Sequence, residues 1–219
     1  VFFDLTQIRP KGAKISGGFK APGPEGLRKS LDKIEHMLQT IVMDQKEPVD
    51  LKPINVYDIT MHAADAVLSG GVRRSATICL FSPDDEEMMT AKTGNWFIDN
   101  PQRGRSNNSA VIVRDEATPE MFAKIMESVK SFGEPGFYFT TSKEHTTNPC
   151  VEIGMRGYDE YNESGFQFCN LTEIAGAESD TPEIFFRQCK DAAILGTVQA
   201  YYSDFKYVSE ATRNITTKE

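Results

Sequence analysis

Helix-forming segments and short apolar runs alternate along this chain of 219 residues. This order is typical of α/β folds in which the strands are largely parallel. Apolar residues that recur at spacings of four and three predict an amphipathic helix from Leu27 to Ile41. Further helices are predicted over 55–68, 83–93, 119–132 and 182–202, and strands over 76–81, 108–114 and 137–141. We found no convincing domain boundary.

The composition is that of an ordinary globular protein, with 39% hydrophobic and 26% charged residues. The formal net charge is −8 and no long run of Lys and Arg occurs, which argues against a nucleic-acid polymer as partner. No signal peptide or membrane-spanning run is evident. We therefore expect no membrane partner and a cytoplasmic location, which is the host cytoplasm if the source is viral.

No two of the four cysteines stand at the spacing of a Cys-x-x-Cys pair; they are Cys79, Cys150, Cys169 and Cys189. No histidine stands near them at the spacing of zinc ligands, so we expect no metal site. Reduced thiols are the expectation for a cytosolic protein.

Asn148, Cys150 and Glu152 alternate along one short segment. If this segment is an extended strand, the amide, the thiol and the carboxylate lie on the same face. Pro149 stiffens the backbone beside the thiol. With Cys169 nearby in sequence, such a set could carry out redox or radical chemistry on a polyol. The alternative is that each cysteine is a small core residue.

Five motifs stand out along the chain: Ile8–Ala13 with Ser16–Gly18, Gly70–Ala76, Ser106–Ala110, Asn148–Ile153 and Phe168–Leu171. They resemble, in the same order, motifs of the large subunit of ribonucleotide reductases, and their sequences are most similar to those of the adenosylcobalamin-dependent class II enzymes. The chain thus resembles the central part of that catalytic subunit.

The resemblance implies a ten-stranded α/β barrel, with the radical-cysteine loop at its centre and an active-site segment at about 146–171. It implies replacement of a ribonucleotide 2′-hydroxyl by hydrogen. Cys150 then matches the cysteine that becomes a thiyl radical, and Glu152 matches the base for the 3′-hydroxyl. Asn148 matches the amide that holds the sugar hydroxyls, and Cys169 matches one of two reducing thiols.

Two Gly-rich basic segments, 8–24 and 69–76, resemble the loops that bind the specificity effector. Glycines let backbone N–H groups approach a phosphate or a base, and the positive charges suit a nucleoside triphosphate. The residues in question are Arg9, Lys11, Gly70, Gly71, Arg73 and Arg74. The alternative is a pair of solvated basic turns.

Asn107 and Asn108 allow two interpretations. They could line the substrate pocket, or they could bond to backbone groups at the start of a strand.

The implied cofactor is adenosylcobalamin, held mostly by other parts of the same enzyme. The implied partners are a ribonucleoside di- or triphosphate, a nucleoside triphosphate effector and a thioredoxin-like or other dithiol reductant. The second redox cysteine is expected before Ile8, with Cys79 as a less suitable substitute. A phosphate-binding loop and further thiols are expected after Glu219. We therefore expect a fragment that is not active alone.

Three alternatives to this interpretation stay open at the sequence level. The first is a class I or class III reductase, which has a different radical source. The second is a non-catalytic module that binds an effector or supports assembly. The third is a regulatory protein that binds a metal through the four cysteines.

Overall fold

In the computed structural model, which describes residues 3–44, 50–68 and 75–218, the chain divides after Lys143. Unit 1 is Val1–Lys143 and unit 2 is Glu144–Glu219. Each unit has its own sheet, parallel in unit 1 and antiparallel in unit 2.

The sheet of unit 1 has three strands: β1 (Thr77–Phe81), β2 (Ser106–Val113) and β3 (Gly136–Thr140). They lie in the order β1-β2-β3, and both neighbouring pairs are parallel. The prediction of an α/β fold with parallel strands is therefore confirmed. The strand positions differ from the predicted ones by one or two residues.

Unit 1 has five α-helices among its described residues: α1 (Glu25–Asp44), α2 (Pro53–Leu68), α3 (Glu86–Met89), α4 (Trp96–Asp99) and α5 (Pro119–Phe132). The N-terminus of α5 is capped by Thr118, whose hydroxyl accepts from the backbone N–H of Met121 at 3.2 Å. Gly133 ends α5 in the left-handed conformation, with φ 75°.

The prediction of one helix over 83–93 is wrong in its length, because α3 covers only Glu86–Met89 of that range. The Asp85 carboxylate accepts from the backbone N–H of Met88 at 3.0 Å, so this helix begins after Asp85. The chain leaves the helix at Thr90.

The core of unit 1 lies between the sheet and the helices that pack on it. Met61 of α2 and Ile125 of α5 are among its fully buried side chains. The other members are Tyr57, Phe81, Met88, Met89, Ala91, Ala110 and Ile112.

A mostly buried ion pair joins α2 to the segment before β2. Arg103 binds both carboxylate oxygens of Asp58, with Nε–Oδ1 at 2.8 Å and Nη2–Oδ2 at 2.6 Å. We expect Arg103→Ala to lower the free energy of unfolding by about 3 kcal/mol, because the Asp58 charge stays buried without its partner. Chemical denaturation measures this change.

Arg105→Ala is the matched control. Arg105 pairs with Asp65 at 2.7 Å, but its side chain is 44% exposed. Its loss should cost less than about 1 kcal/mol. Equal effects of the two substitutions would contradict the assigned role of burial.

Unit 2 begins with a short hairpin of β4 (His145–Thr147) and β5 (Gly154–Arg156). Two α-helices follow, α6 (Pro182–Ala200) and α7 (Glu210–Lys218). The predicted start of α6 is confirmed, since the Thr181 hydroxyl accepts from the N–H of Ile184 at 3.3 Å. Across the described ranges, no helix is both long enough and apolar enough to cross a membrane.

Candidate active site

The segment that carries Cys150 is the loop of the β4–β5 hairpin. Thr147 and Gly154 form the last residue pair of the ladder, so the loop runs from Asn148 to Ile153. Asn148 closes its base, because its backbone N–H donates to the Ile153 carbonyl at 3.3 Å. Its side-chain Oδ1 also accepts from the Ile153 N–H, at 3.0 Å. The Asn148 amide therefore stands in for a backbone partner and fixes the loop.

The prediction that Asn148–Glu152 is an extended strand is wrong. The Val151 N–H donates to the Asn148 carbonyl at 3.0 Å, which makes a turn with Pro149 and Cys150 at its centre. The argument that three alternate side chains share one strand face therefore does not apply. An Asn-Pro dipeptide is itself a turn signal, and it could have identified this loop from the sequence.

Val151 adopts a left-handed backbone conformation, with φ 71°. This is unusual for a β-branched residue, and such strain costs on the order of 1–3 kcal/mol. Strained residues cluster at functional sites. The strain here lies between Cys150 and Glu152.

Asn148 also links the loop to the second predicted thiol. Its Nδ2 donates to Cys169 Sγ at 3.8 Å, and the Asn148 side chain is only 4% exposed. The structure therefore brings Asn148 and Cys169 together, although 21 positions separate them.

A radical site needs a sulfur that is shielded from water, but the described residues leave Cys150 without such cover. Cys150, Glu152 and Cys169 are all exposed. The physical reason is that Cys150 lies at the tip of a loop, where the hairpin itself provides no cover. Gly165–Leu171 forms no strand in the part of the chain that the structure describes.

Residues 8–24 form a compact turn. The Gly12 N–H donates to the Ala21 carbonyl at 2.9 Å, and the Ile15 N–H donates to the Phe19 carbonyl at 3.0 Å. Arg9 and Lys11 are exposed on it. The second predicted effector loop falls mainly on positions 69–74, so Gly70, Gly71, Arg73 and Arg74 lie outside the described residues.

Asn107 and Asn108 lie on opposite faces of β2. Asn107 is exposed, whereas Asn108 is 3% exposed. The Asn108 Oδ1 accepts from the Tyr57 hydroxyl at 3.0 Å and from the Ser106 hydroxyl at 2.8 Å. Burial raises the pKa of Tyr57, which keeps its hydroxyl protonated as a donor.

Sequence reasoning did not identify the polar cluster around Asn108. Lys92 belongs to it, since this buried ammonium group bonds the Ser106 carbonyl and pairs with Glu134 at 2.9 Å. An apolar periodicity cannot reveal such contacts, because the residues are far apart in sequence.

Cys79 lies on β1 beside the core of unit 1. Burial raises the pKa of its thiol to about 11, from an ordinary value of 9.0. Because only the thiolate reacts, this cysteine is poorly suited to thiol–disulfide exchange near neutral pH.

At pH 8 we expect iodoacetamide to modify Cys79 about 100-fold more slowly in the folded protein than in a denatured sample. The raised pKa lowers the thiolate fraction by that factor at any pH below both values. Residue-resolved mass spectrometry measures the rates. Equal rates in the folded and denatured protein would contradict the pKa assignment.

Over the ranges that the structure describes, no group of three or more His, Cys, Asp or Glu side chains is arranged to hold a metal ion. The four cysteines are all free thiols.

The chain is similar to several reductases from lactic acid bacteria, each named adenosylcobalamin-dependent ribonucleoside-triphosphate reductase. The one from Lacticaseibacillus paracasei is 32% identical over 189 residues, which is 78% of this chain and 23% of that protein. The one from Lactobacillus delbrueckii subsp. bulgaricus is 29% identical over 80% of this chain and 24% of its own length. The one from Lactobacillus helveticus is 26% identical and covers 98% of this chain.

No model of a protein family matches the chain, and no solved structure matches it. The chain spans about a quarter of the length of the curated relatives that it matches. The similarity agrees with the resemblance carried by the five motifs, and the chain is therefore related to the adenosylcobalamin-dependent ribonucleoside-triphosphate reductases.

Proposed function

We propose that this chain forms the central part of the catalytic subunit of a ribonucleotide reductase, which converts ribonucleotides to 2′-deoxyribonucleotides. The observation that carries the proposal is the contact between Asn148 and Cys169, at the base of the loop that bears Cys150 and Glu152. The names of the relatives favour ribonucleoside triphosphates as substrates.

Each residue of the site has one role in the proposed reaction. Cys150, as a thiyl radical, takes the hydrogen atom from C3′ and returns it at the end. Glu152 accepts the proton of the 3′-hydroxyl as a general base. Asn148 holds the sugar hydroxyls through its amide. These groups act together, because loss of the 2′-oxygen requires the radical and the base at neighbouring atoms.

Cys169 and a second thiol of the protein supply the reducing equivalents. The 2′-oxygen leaves as water, hydrogen takes its place, and the two thiols end as a disulfide. A dithiol reductant of the thioredoxin type then regenerates the thiols by exchange. Cys79 is disfavoured as the second thiol because its pKa is raised.

Adenosylcobalamin, when bound, would supply the radical that generates the thiyl group. The groove of unit 1 between α2 and β1 does not fit this cofactor, because apolar side chains such as Val56, Met61 and Leu80 line it and the cobalamin ring carries many amide groups. We therefore assign its binding to other parts of the protein.

We further propose that the chain is part of a ten-stranded α/β barrel. The exposed apolar face of α6 supports this proposal, because no residue of that helix is buried and Phe186 is 71% exposed. Ile194, Leu195 and Val198 of the same helix are also more than half exposed. Such a surface requires cover. The remaining barrel would supply it, and would also exclude water from Cys150.

The basic turn at 8–24 is proposed as one part of the effector site. Arg9 and Lys11 are exposed there and can meet the phosphates of a nucleoside triphosphate. The other loop, 69–76, would complete the site. Asn107, the exposed member of the pair, is proposed to contribute to nucleotide binding near the start of β2, whereas the buried Asn108 is proposed to support that strand through Tyr57 and Ser106.

Glu152→Gln tests the proposed function. We expect the natural-length protein with adenosylcobalamin and a dithiol to form deoxynucleotides, and the substitution to lower turnover on the order of 10²–10⁴-fold. The amide keeps the size of the side chain but cannot accept the proton. Glu178→Gln, at an exposed position of unit 2, is the control and should leave turnover unchanged. Full activity of the Glu152→Gln variant would overturn the assignment of the base.

A further inference from the structure

Side-chain hydroxyl groups of α7 form hydrogen bonds with the backbone of the segment that leads to Cys169. Gly165–Phe168 lies outside every helix and strand that the structure describes. The Phe166 N–H donates to the Thr212 hydroxyl at 3.1 Å, and the Thr216 hydroxyl donates to the Phe166 carbonyl at 3.2 Å. Two threonines, one helical turn apart, therefore satisfy both backbone polar groups of Phe166.

The close approach of α7 to this segment depends on glycine. A Cβ atom at Gly165 would lie 2.8 Å from the Thr212 backbone nitrogen and 2.8 Å from Ile215 Cδ1. Thr212 and Ile215 are 2% and 3% exposed, so this contact is dry. A side chain at position 165 would push the helix away.

Two further contacts fix the same stretch. The rings of Phe168 and Phe205 stack at a centroid distance of 4.9 Å and an angle of 8°. The Ser209 hydroxyl accepts from the Thr212 N–H at 3.2 Å and lies 3.0 Å from the Thr212 hydroxyl. Ser209 thereby caps α7 and orients the hydroxyl that binds Phe166.

We infer that Thr212 and Thr216 are positioning residues for Cys169. They fix the backbone three positions before the thiol, in a segment that has no ladder of its own. The role of Cys169 in the reaction rests on the proposed function, whereas the restraint itself rests on the contacts above. A displacement of about 1 Å at a reacting group can cost about 100-fold in rate, so a restraint of this kind matters for catalysis.

The test compares variants of α7 in the natural-length protein. In Thr212→Val with Thr216→Val, both hydroxyls are removed while the shape is kept. In Thr212→Ser with Thr216→Ser, both hydroxyls are retained. Thr217→Val is the control, because the Thr217 hydroxyl donates to the carbonyls of Arg213 and Asn214 within α7 itself. Two rates are measured: deoxynucleotide formation, and modification of Cys169 by iodoacetamide relative to Cys189 on α6.

In the double valine variant we expect Cys169 to be modified about fivefold faster relative to Cys189, because release of the segment breaks the contact of Cys169 Sγ with the buried Asn148 amide and uncovers the sulfur. Turnover should fall about 100-fold. The double serine variant and Thr217→Val should behave as wild type. An unchanged Cys169-to-Cys189 ratio in the double valine variant would overturn the inference, whether or not turnover falls.

The labelling ratio also separates the two proposals. If the wild-type protein forms no deoxynucleotide but the ratio rises in the valine variant and returns with serine, the proposed function fails and the positioning role stands. If turnover is present and the ratio does not change, the positioning role fails alone.

Discussion

Cys150→Ser is expected to abolish deoxynucleotide formation, with turnover at least roughly 10³-fold below wild type. A serine O–H bond is much stronger than a cysteine S–H bond, so the hydroxyl cannot take over the radical step. The free energy of unfolding should change by less than about 0.5 kcal/mol, because position 150 is exposed at the tip of a loop. Steady-state assays and chemical denaturation measure the two quantities.

Cys189→Ser is the matched control for this substitution. Cys189 is a free thiol on α6, and it has no role in the proposed reaction. Its replacement should leave turnover close to wild type. If both serine variants lost activity equally, the loss could not be assigned to a radical at Cys150.

Substitutions of Asn148 should separate its structural role from its chemical role. Asn148→Ala removes the acceptor for the Ile153 N–H and the donor to Cys169, so we expect turnover to fall about 10³-fold and stability to fall by about 1–3 kcal/mol. Asn148→Asp keeps an acceptor for Ile153 but has no N–H to donate. It should keep the loop closed and still lose activity about 100-fold.

The two variants are compared by turnover and by denaturation. A stable but inactive aspartate variant would assign the loss to the missing amide donor. An aspartate variant with wild-type activity would show that Asn148 serves only to close the loop.

The parallel sheet of unit 1 could be predicted from sequence because its signals are local. Apolar runs gave β1, β2 and β3, and the Thr118-Pro119 and Thr181-Pro182 pairs gave the starts of α5 and α6. In each case one short stretch contains the physical cause of the element.

The residues of the candidate site stay a prediction, and the local structure predicted for them was wrong. Alternation at 148–152 suggested a strand, whereas Pro149 and the left-handed Val151 make a turn. The contact between Asn148 and Cys169 depends on how the chain returns over 21 positions, and no local pattern encodes that return. No local pattern encodes the hydrogen bonds between α7 and Phe166 either, because they also join residues far apart in sequence.

The division after Lys143 had no composition signal either. The surrounding residues have no stretch rich in Gly, Pro or Ser that would mark a linker. The boundary follows from which elements pack together, so it emerges only from the tertiary structure.

In the proposed reaction, Cys169 is oxidised while a ribonucleotide is reduced at Cys150. The most direct measurement is a single turnover of the prereduced protein with ribonucleoside triphosphate and adenosylcobalamin, without external dithiol, followed by mass-spectrometric mapping of thiols. We predict about one deoxynucleotide per protein molecule, with Cys169 in a disulfide and Cys150 recovered as a thiol. Formation of deoxynucleotide while Cys169 stays a free thiol would contradict the proposed role of Cys169 as a reducing thiol.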